Sequence, residues 1–321
     1  MSLNQTINGK SFEYGLLIQF EEKLRDKTSV KIVKNSSFDV AQNCFNQTTE
    51  LEKSEFLLYA SFAVNFLIDL EPRLANGIDK NDTLELEILP DKTGESGDVR
   101  DVLAIRLLQK WEIGVSAKNN HNAVKHSRLS LDIDFGQKWL GINSSKEYFD
   151  KIGLVFGDLK KIRKESNATK KWSEIGDYHT SVYLPILTAF KEELEKLYRH
   201  NLEKVPANLV KYLIGNRDFY KVVKNKNSLD IYAYNFNNSL NLSFGNIESK
   251  YKIPEIVLPT KILDMSFKEN SKNTIIITLD NDWVLSFRIH NASSRVEPSL
   301  KFDITLLSSP KTIFKNTLFI K

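Results

Sequence analysis

Two apolar runs, "VRDVLAIR" at 99–106 and "WEIGVSAK" at 111–118, are separated by only four residues, "LLQK". Such runs read as strands, and so short a connection folds them back on each other as an antiparallel hairpin. If Leu107 pairs with Lys110, then Asp101 lies opposite Ser116 and Val99 opposite Lys118. Directly opposed side chains share a face, as do alternate residues along one strand. Asp101, Ser116 and Lys118 then converge, with Glu112 and Gly114 further along the same face. A one-residue change of register would oppose Asp98 and Lys118 instead. Both aspartates are therefore candidates, and Asp101 leads because the apolar run starts directly after it.

Around this hairpin the chain changes character twice. "SFEYGLLIQFEEKLRD", "SSFDVAQNCF" and the segment Phe56–Leu70 read as helices, followed by the strand-like "TLELEIL" and the turn material "DKTGESGD". Pro90-Asp91 sits in that turn material. Helical periodicity returns with Leu184, Leu187, Phe190, Leu194 and Leu197, and "VPANLVKYLIGNRD" opens on a proline suited to a helix start. After Phe219, "LDIYAYNF", "SLNLSF", "KILDMSF", "TIIITL", "WVLSFRIH" and "LKFDITLL" alternate with Asn, Asp, Ser and Gly clusters, the pattern of antiparallel β-structure. The expected division is 1–218, mixed helices and strands, and 219–321, β-rich.

Composition narrows the class without choosing a partner. With 321 residues, 41% of them hydrophobic and 27% charged, the chain has ample material for a core. One cysteine, Cys44, excludes an intramolecular disulfide and any multi-cysteine metal site. "MSLNQTINGK" places no apolar stretch behind a basic start, and Phe56–Leu70 is too short and interrupted to span a bilayer. These features give the expectation of a cytoplasmic protein without membrane association. From Lys221 onward there are 14 basic against 9 acidic residues, and before it 31 against 32. A mildly basic C-terminal third suits a polyanion, and a solvated surface has the same composition.

An acid beside a lysine on one strand face has a specific use. A carboxylate binds Mg²⁺, a hard ion that prefers oxygen ligands and keeps several waters. The ion makes a water more acidic and withdraws charge from a phosphate, and the lysine orients that water or steadies charge developing on phosphorus. The competing reading is that strands begin and end in solvent, where charges cost little.

"GDVRDVLAI", "KWEIGVSAKNNHNAVKHSRLS", "DFGQKWLG" and "SFRIHNASSRVEPSLKFDI" resemble the HaeIII family of type II restriction endonucleases, with the likeness running from the "FEY" region to the "LKFDI" strand. The resemblance implies an α/β fold with a PD-(D/E)xK core, a mixed central sheet flanked by helices. It implies Mg²⁺-dependent cleavage of double-stranded DNA at GGCC, leaving blunt ends. Residues 1–218 would then hold the catalytic core behind a helical N-terminal segment, and 219–321 the DNA-recognition part. Asp101, Lys118, Glu112, Ser116 and Asp98 are the expected catalytic residues, with Asp101, Asp98 and Glu112 as metal ligands. Ser116 departs from the superfamily pattern, since an acid normally stands two residues before the lysine. Glu112 is the preferred substitute, and Asp132, Asp134 and Glu71 are further candidates. A core short of its second acid could also bind DNA without cutting it, so a catalytically inactive binding protein is the alternative.

Two segments carry the expected DNA contacts. "KNNHNAVKHSRLS" concentrates His121, Lys125, His126 and Arg128 just past the lysine strand, where they would meet phosphates. "SFRIHNASSRVEPS" offers Arg288, His290, Asn291, Ser293, Ser294 and Arg295, and bidentate arginine is the usual reader of guanine. A palindromic target suits a two-fold homodimer, and a cognate DNA methyltransferase would be the genetic partner.

Overall fold

The computed structural model describes residues 3–90, 98–119 and 127–320. Helix α1 (Leu3–Leu24) and strand β1 (Val30–Ile32) come first, then helices α2 (Ser36–Gln47), α3 (Glu50–Leu70) and α4 (Pro72–Ala75). Strands β2 (Leu84–Ile88), β3 (Val102–Arg106), β4 (Trp111–Asn119) and β5 (Arg128–Ser130) follow. Helices α5 (Lys146–Glu165), α6 (Leu184–His200) and α7 (Val205–Ile214) precede β6 (Phe219–Lys224) and β7 (Ser228–Tyr234). The chain finishes through β8 (Ile262–Phe267), β9 (Thr274–Leu279), β10 (Val284–Asn291), β11 (Ser299–Ser308) and β12 (Phe314–Phe319). No helix among the described residues is long and apolar enough to cross a membrane.

The chain forms two compact units, each discontinuous in sequence: residues 1–121, 215–256 and 311–321 in the first, 122–214 and 257–310 in the second. This differs from the single boundary at 218/219 read from composition. Strand pairing is the reason. Strand β6 lies parallel to β4, β7 pairs with β6, and β12 pairs with β7, so the chain after residue 214 returns to the sheet begun by its first 121 residues.

The first unit holds a seven-stranded mixed sheet in the order β1-β2-β3-β4-β6-β7-β12. Its local starts are explicit in the sequence. Asn35 caps α2 by accepting from Phe38 N at 2.9 Å. Thr49 and Glu52 form a reciprocal capping box at the start of α3; a cap of this kind contributes about 1 kcal/mol. Phe12, Leu16, Leu17, Phe20 and Leu24 of α1 are wholly buried in one core with Val102, Ala104, Ile113, Val115, Ala117, Tyr220 and Val222 of the sheet. Because strand side chains alternate, that packing assigns Leu103, Ser116, Lys118 and Lys221 to the opposite face. The hairpin's far end is anchored by Arg106, which is fully buried and donates to the carbonyls of Arg73, Leu74 and Asp82.

The second unit contains a five-stranded sheet, β5-β11-β10-β9-β8, antiparallel at every pairing. Phe135, Trp139, Phe190, Phe287 and Phe302 form its aromatic core, with Phe190 4.7 Å from Phe135 and 4.9 Å from Phe302 between ring centres. Leu187, Phe190, Leu194 and Leu197 are buried as their helical spacing predicts.

One expected strand is absent, and β1, β5, β6 and β12 are strands that the sequence reading did not name. "SLNLSF" is a loop, because the Asp218 carboxylate gathers the N–H groups of Phe236, Asn237 and Ser239. Asn238 and Asn241, at φ of 57° and 63°, then turn the chain out of extended geometry. The last strand, β12, has little alternation of burial because it is the sheet's edge.

Candidate active site

The hairpin pairs Val102 with Val115, in the register expected from the four-residue turn, and just before the ladder the N–H of Asp101 donates to Val115 O at 2.8 Å. Asp101 Oδ2 is held from three sides. It accepts from the Ala117 N–H at 2.7 Å, from Lys118 Nζ at 3.1 Å and from Ser116 Oγ at 3.3 Å. Ser116 is buried, whereas Asp101 and Lys118 keep 20% and 32% of their side-chain surface exposed, enough for substrate to reach them. Charge-assisted donors on one carboxylate oxygen fix its direction and leave Oδ1 for another ligand.

Asp98 and Glu112 lie in a separate arrangement. Arg100, buried on the strand face, donates to Asp98 at 2.7 and 2.8 Å and to Glu112 at 2.8 Å. Its stem crosses Gly114, where a Cβ would meet Arg100 Cδ at 2.0 Å. The glycine is needed for that crossing. The ring of carboxylates holds Arg100 charged more firmly than usual, against the pull of its burial.

The acid that sequence reasoning passed over is Glu13 of α1. It is buried, accepts from Lys10 at 3.0 Å, and feels the charges of both Asp101 and Lys118. Burial foremost, then repulsion from Asp101, pushes its carboxyl up to about 8, against the opposing pull of Lys10 and Lys118. The signal was present: Glu13 sits four residues before Leu17 and seven before Phe20, on the apolar stripe of α1. A carboxylate on such a stripe is costly to bury without a purpose.

The other candidate acids are engaged elsewhere. Glu71 is buried and accepts from Tyr220 Oη and Asn241 N, both at 2.6 Å, and burial pushes its carboxyl up to about 7. Asp134 accepts from the N–H groups of Gln137 and Ser144 in the second unit, where Asp132 also lies. Among the described residues no group of three or more His, Cys, Asp or Glu side chains is arranged to hold a metal ion.

The second unit gathers several expected DNA-contacting residues on one sheet face. Arg128 of β5 faces Lys301 of β11, and Lys301 faces His290 of β10, so three basic side chains from distant sequence stand in one row. Lys301 was not singled out from sequence. Arg288 is exposed two residues away and pairs with Asp303 at 2.7 Å, while Arg128 lies 3.7 Å from Glu297. Asn291 is fixed by Tyr183, whose hydroxyl donates to Asn291 Oδ1 and accepts from Asn291 N. Ser293 Oγ bonds to Arg295 O and Glu297, the Ser294 carbonyl accepts from Trp172 N, and Arg295 is exposed. His121, Lys125 and His126 lie outside the described residues.

Comparison with known proteins converges on one family. The HaeIII restriction endonuclease family model matches residues 9–310. The type II restriction enzyme HaeIII of Haemophilus aegyptius is 40% identical over 315 residues, covering 98% of this chain and 97% of that protein. No solved structure gives a significant match. With an acid and a lysine joined across a hairpin and likeness over nearly its whole length, the chain belongs to the HaeIII restriction endonuclease family and is a type II restriction endonuclease.

Proposed function

We propose that the chain hydrolyses phosphodiester bonds of double-stranded DNA at GGCC, leaving blunt ends, from a PD-(D/E)xK-type core in the first unit. The observation that carries the reading is Lys118 Nζ at 3.1 Å from Asp101 Oδ2, on facing strands of a mixed sheet backed by α1. The strand order supports it: β2, β3 and β4 run antiparallel in succession and β6 joins β4 in parallel.

Asp101 and Glu13 fit Mg²⁺, which takes one or two carboxylates and completes its shell with waters and substrate phosphate. Their donors are hard oxygens. Glu112 and Asp98 fit it less well, since Arg100 holds both; in our reading Glu13, not Glu112, supplies the acid missing at Ser116. Mg²⁺ bound there supplies charge withdrawal from phosphorus and a more acidic water. The rest falls to the chain. Ser116 and the Ala117 N–H hold Asp101 in direction, and Lys118 orients the attacking water and steadies negative charge on the phosphate. The water oxygen bonds to phosphorus, one phosphorus–oxygen ester bond breaks, and the departing sugar oxygen takes up a proton.

DNA would be held by the basic row Arg128, Lys301 and His290 and by Arg288 and the Asn291–Arg295 loop, and the family likeness adds His121, Lys125 and His126 as phosphate contacts. A homodimer on the palindrome, a cognate methyltransferase and a cytoplasmic setting complete the reading. Incubating plasmid DNA with Mg²⁺ or with EDTA tests it. Discrete blunt fragments ending at the centre of GGCC, only with Mg²⁺, are expected; intact DNA, or ends elsewhere, refutes the assignment.

A further inference from the structure

Ser116 links Asp101 to Lys221: its hydroxyl donates to Asp101 Oδ2 at 3.3 Å, and its strand position pairs with Lys221 of β6. Tyr220 and Val222 take the core side of β6, so Lys221 is on the face that carries Ser116 and Lys118. Directly paired side chains on one sheet face have Cβ atoms about 5 Å apart, and diagonal neighbours lie about 7–8 Å apart. Ser116 is the direct neighbour of Lys221, and Lys118 the diagonal one.

Lys221 is half-buried, and its side chain makes no hydrogen bond or ion pair with any described residue. Lys224, three residues on along the same strand, is also buried but lies 2.9 Å from Glu55. Lys118 has Asp101. Among the described residues, Lys221 thus differs from its neighbours in having a partly buried ammonium with no carboxylate paired to it. Burial, and secondarily the charge of Lys118, pull it down to about 8, so near neutral pH it is still mostly charged. An ammonium in that position is costly in the free protein, and an anion placed between the two lysines would relieve the cost.

We propose that Lys221 is a phosphate-binding residue of the active site, donating from Nζ to a non-bridging oxygen of the phosphate undergoing cleavage while Lys118 serves it from the neighbouring strand. The proposal rests on the reading of Asp101 and Lys118 as the cutting site. It gives Ser116 a physical rationale as well. An acid at 116 would face Lys221 directly and neutralise it, whereas a serine leaves the ammonium free for the substrate.

The test compares Lys221→Met, Lys221→Arg and Asp101→Asn with the wild type on a GGCC duplex, measuring single-turnover cleavage in Mg²⁺, metal-free binding against salt, and thermal midpoint. Lys221→Met should cut about a hundredfold more slowly at saturating DNA, in the range for removing one transition-state donor. It should bind with a salt slope smaller by about one, and melt no lower than the wild type, since it removes a partly buried ammonium that no described residue pairs. Lys221→Arg should recover part of the rate. If Asp101→Asn still cuts, the site is misread and this inference falls with it. If Asp101→Asn is inactive but Lys221→Met cuts at the wild-type rate with an unchanged salt slope, only the role of Lys221 is overturned. A lowered melting midpoint with no rescue by arginine would assign Lys221 to structure and equally overturn it.

Discussion

Gly114 and Arg100 share one space: the arginine stem lies where the side chain of residue 114 would begin, 2.0 Å from an ideal Cβ. Even alanine must displace Arg100 and with it the bonds to Asp98 and Glu112. Gly114→Ala should therefore lower stability by about 1–3 kcal/mol, the range for overpacking a filled site, measured by denaturant unfolding. An unchanged midpoint would show that Arg100 has another place to lie.

The hold on Asp101 yields a catalytic expectation. Asp101→Asn removes the charge that Lys118 and the Ala117 N–H address, and Lys118→Met removes the donor itself. Each should slow cleavage by about a hundredfold to a thousandfold while leaving binding to a GGCC duplex measurable, since the basic row lies on another sheet. Wild-type cleavage rates in either variant would remove the pair from the mechanism.

Glu13 and Glu112 compete for the role of second acid and can be separated by metal titration. Glu13→Gln should raise the Mg²⁺ concentration needed for half-maximal cleavage, and Glu112→Gln should leave it unchanged because its partner is Arg100. The reverse pattern would return the role to Glu112.

Glu71 gives a pH dependence of known sign. Its carboxyl titrates at about 7 in the fold against an ordinary 4.5, chiefly because it is buried. Between those values the folded chain holds a proton that the unfolded chain has released, so this group's contribution falls as pH rises from 4.5 to about 7 and is level above that. Glu71→Gln should flatten that part of the melting-midpoint profile without altering metal dependence. A profile parallel to the wild type across the window would refute the assignment.

Base reading and phosphate holding should separate in competition binding. If Arg288 or Arg295 reads guanine, its replacement by alanine should cost about 1–3 kcal/mol on GGCC and far less on a scrambled duplex. Arg128→Ala and Lys301→Ala should weaken both duplexes alike and flatten the salt dependence. Equal losses on both duplexes for Arg288→Ala and Arg295→Ala would remove that strand and loop from recognition.

The hairpin was legible because both constraints on it are local: a four-residue connection and alternating burial settle which residues pair across it. The α6 stripe was legible for the same reason. What sequence could not supply was the third dimension of the site. Glu13 is 88 residues from Asp101 in the chain, and Lys221 reaches its place only through the parallel pairing of β6 with β4. Nor does composition reveal that a sheet is left and re-entered, since the strands on either side of a crossing share one vocabulary. "SLNLSF" reads as strand by side-chain type, yet Asp218 outbids the ladder for its backbone N–H groups.

The return of the chain to its first sheet also sets an order of events during synthesis. Strand β4, which bears Lys118, has no parallel neighbour until residues 122–214 have been made and β6 emerges behind them. Strand β12 closes the sheet's edge with almost the last residues of the chain. A ribosome-bound fragment ending before β6 carries Asp101 and Lys118 on an unfinished sheet, and lacks Lys221. The first unit therefore cannot be completed ahead of residues 122–214, and with the cutting site proposed there, a nascent chain would have no finished blade to turn on the DNA of the cell that makes it.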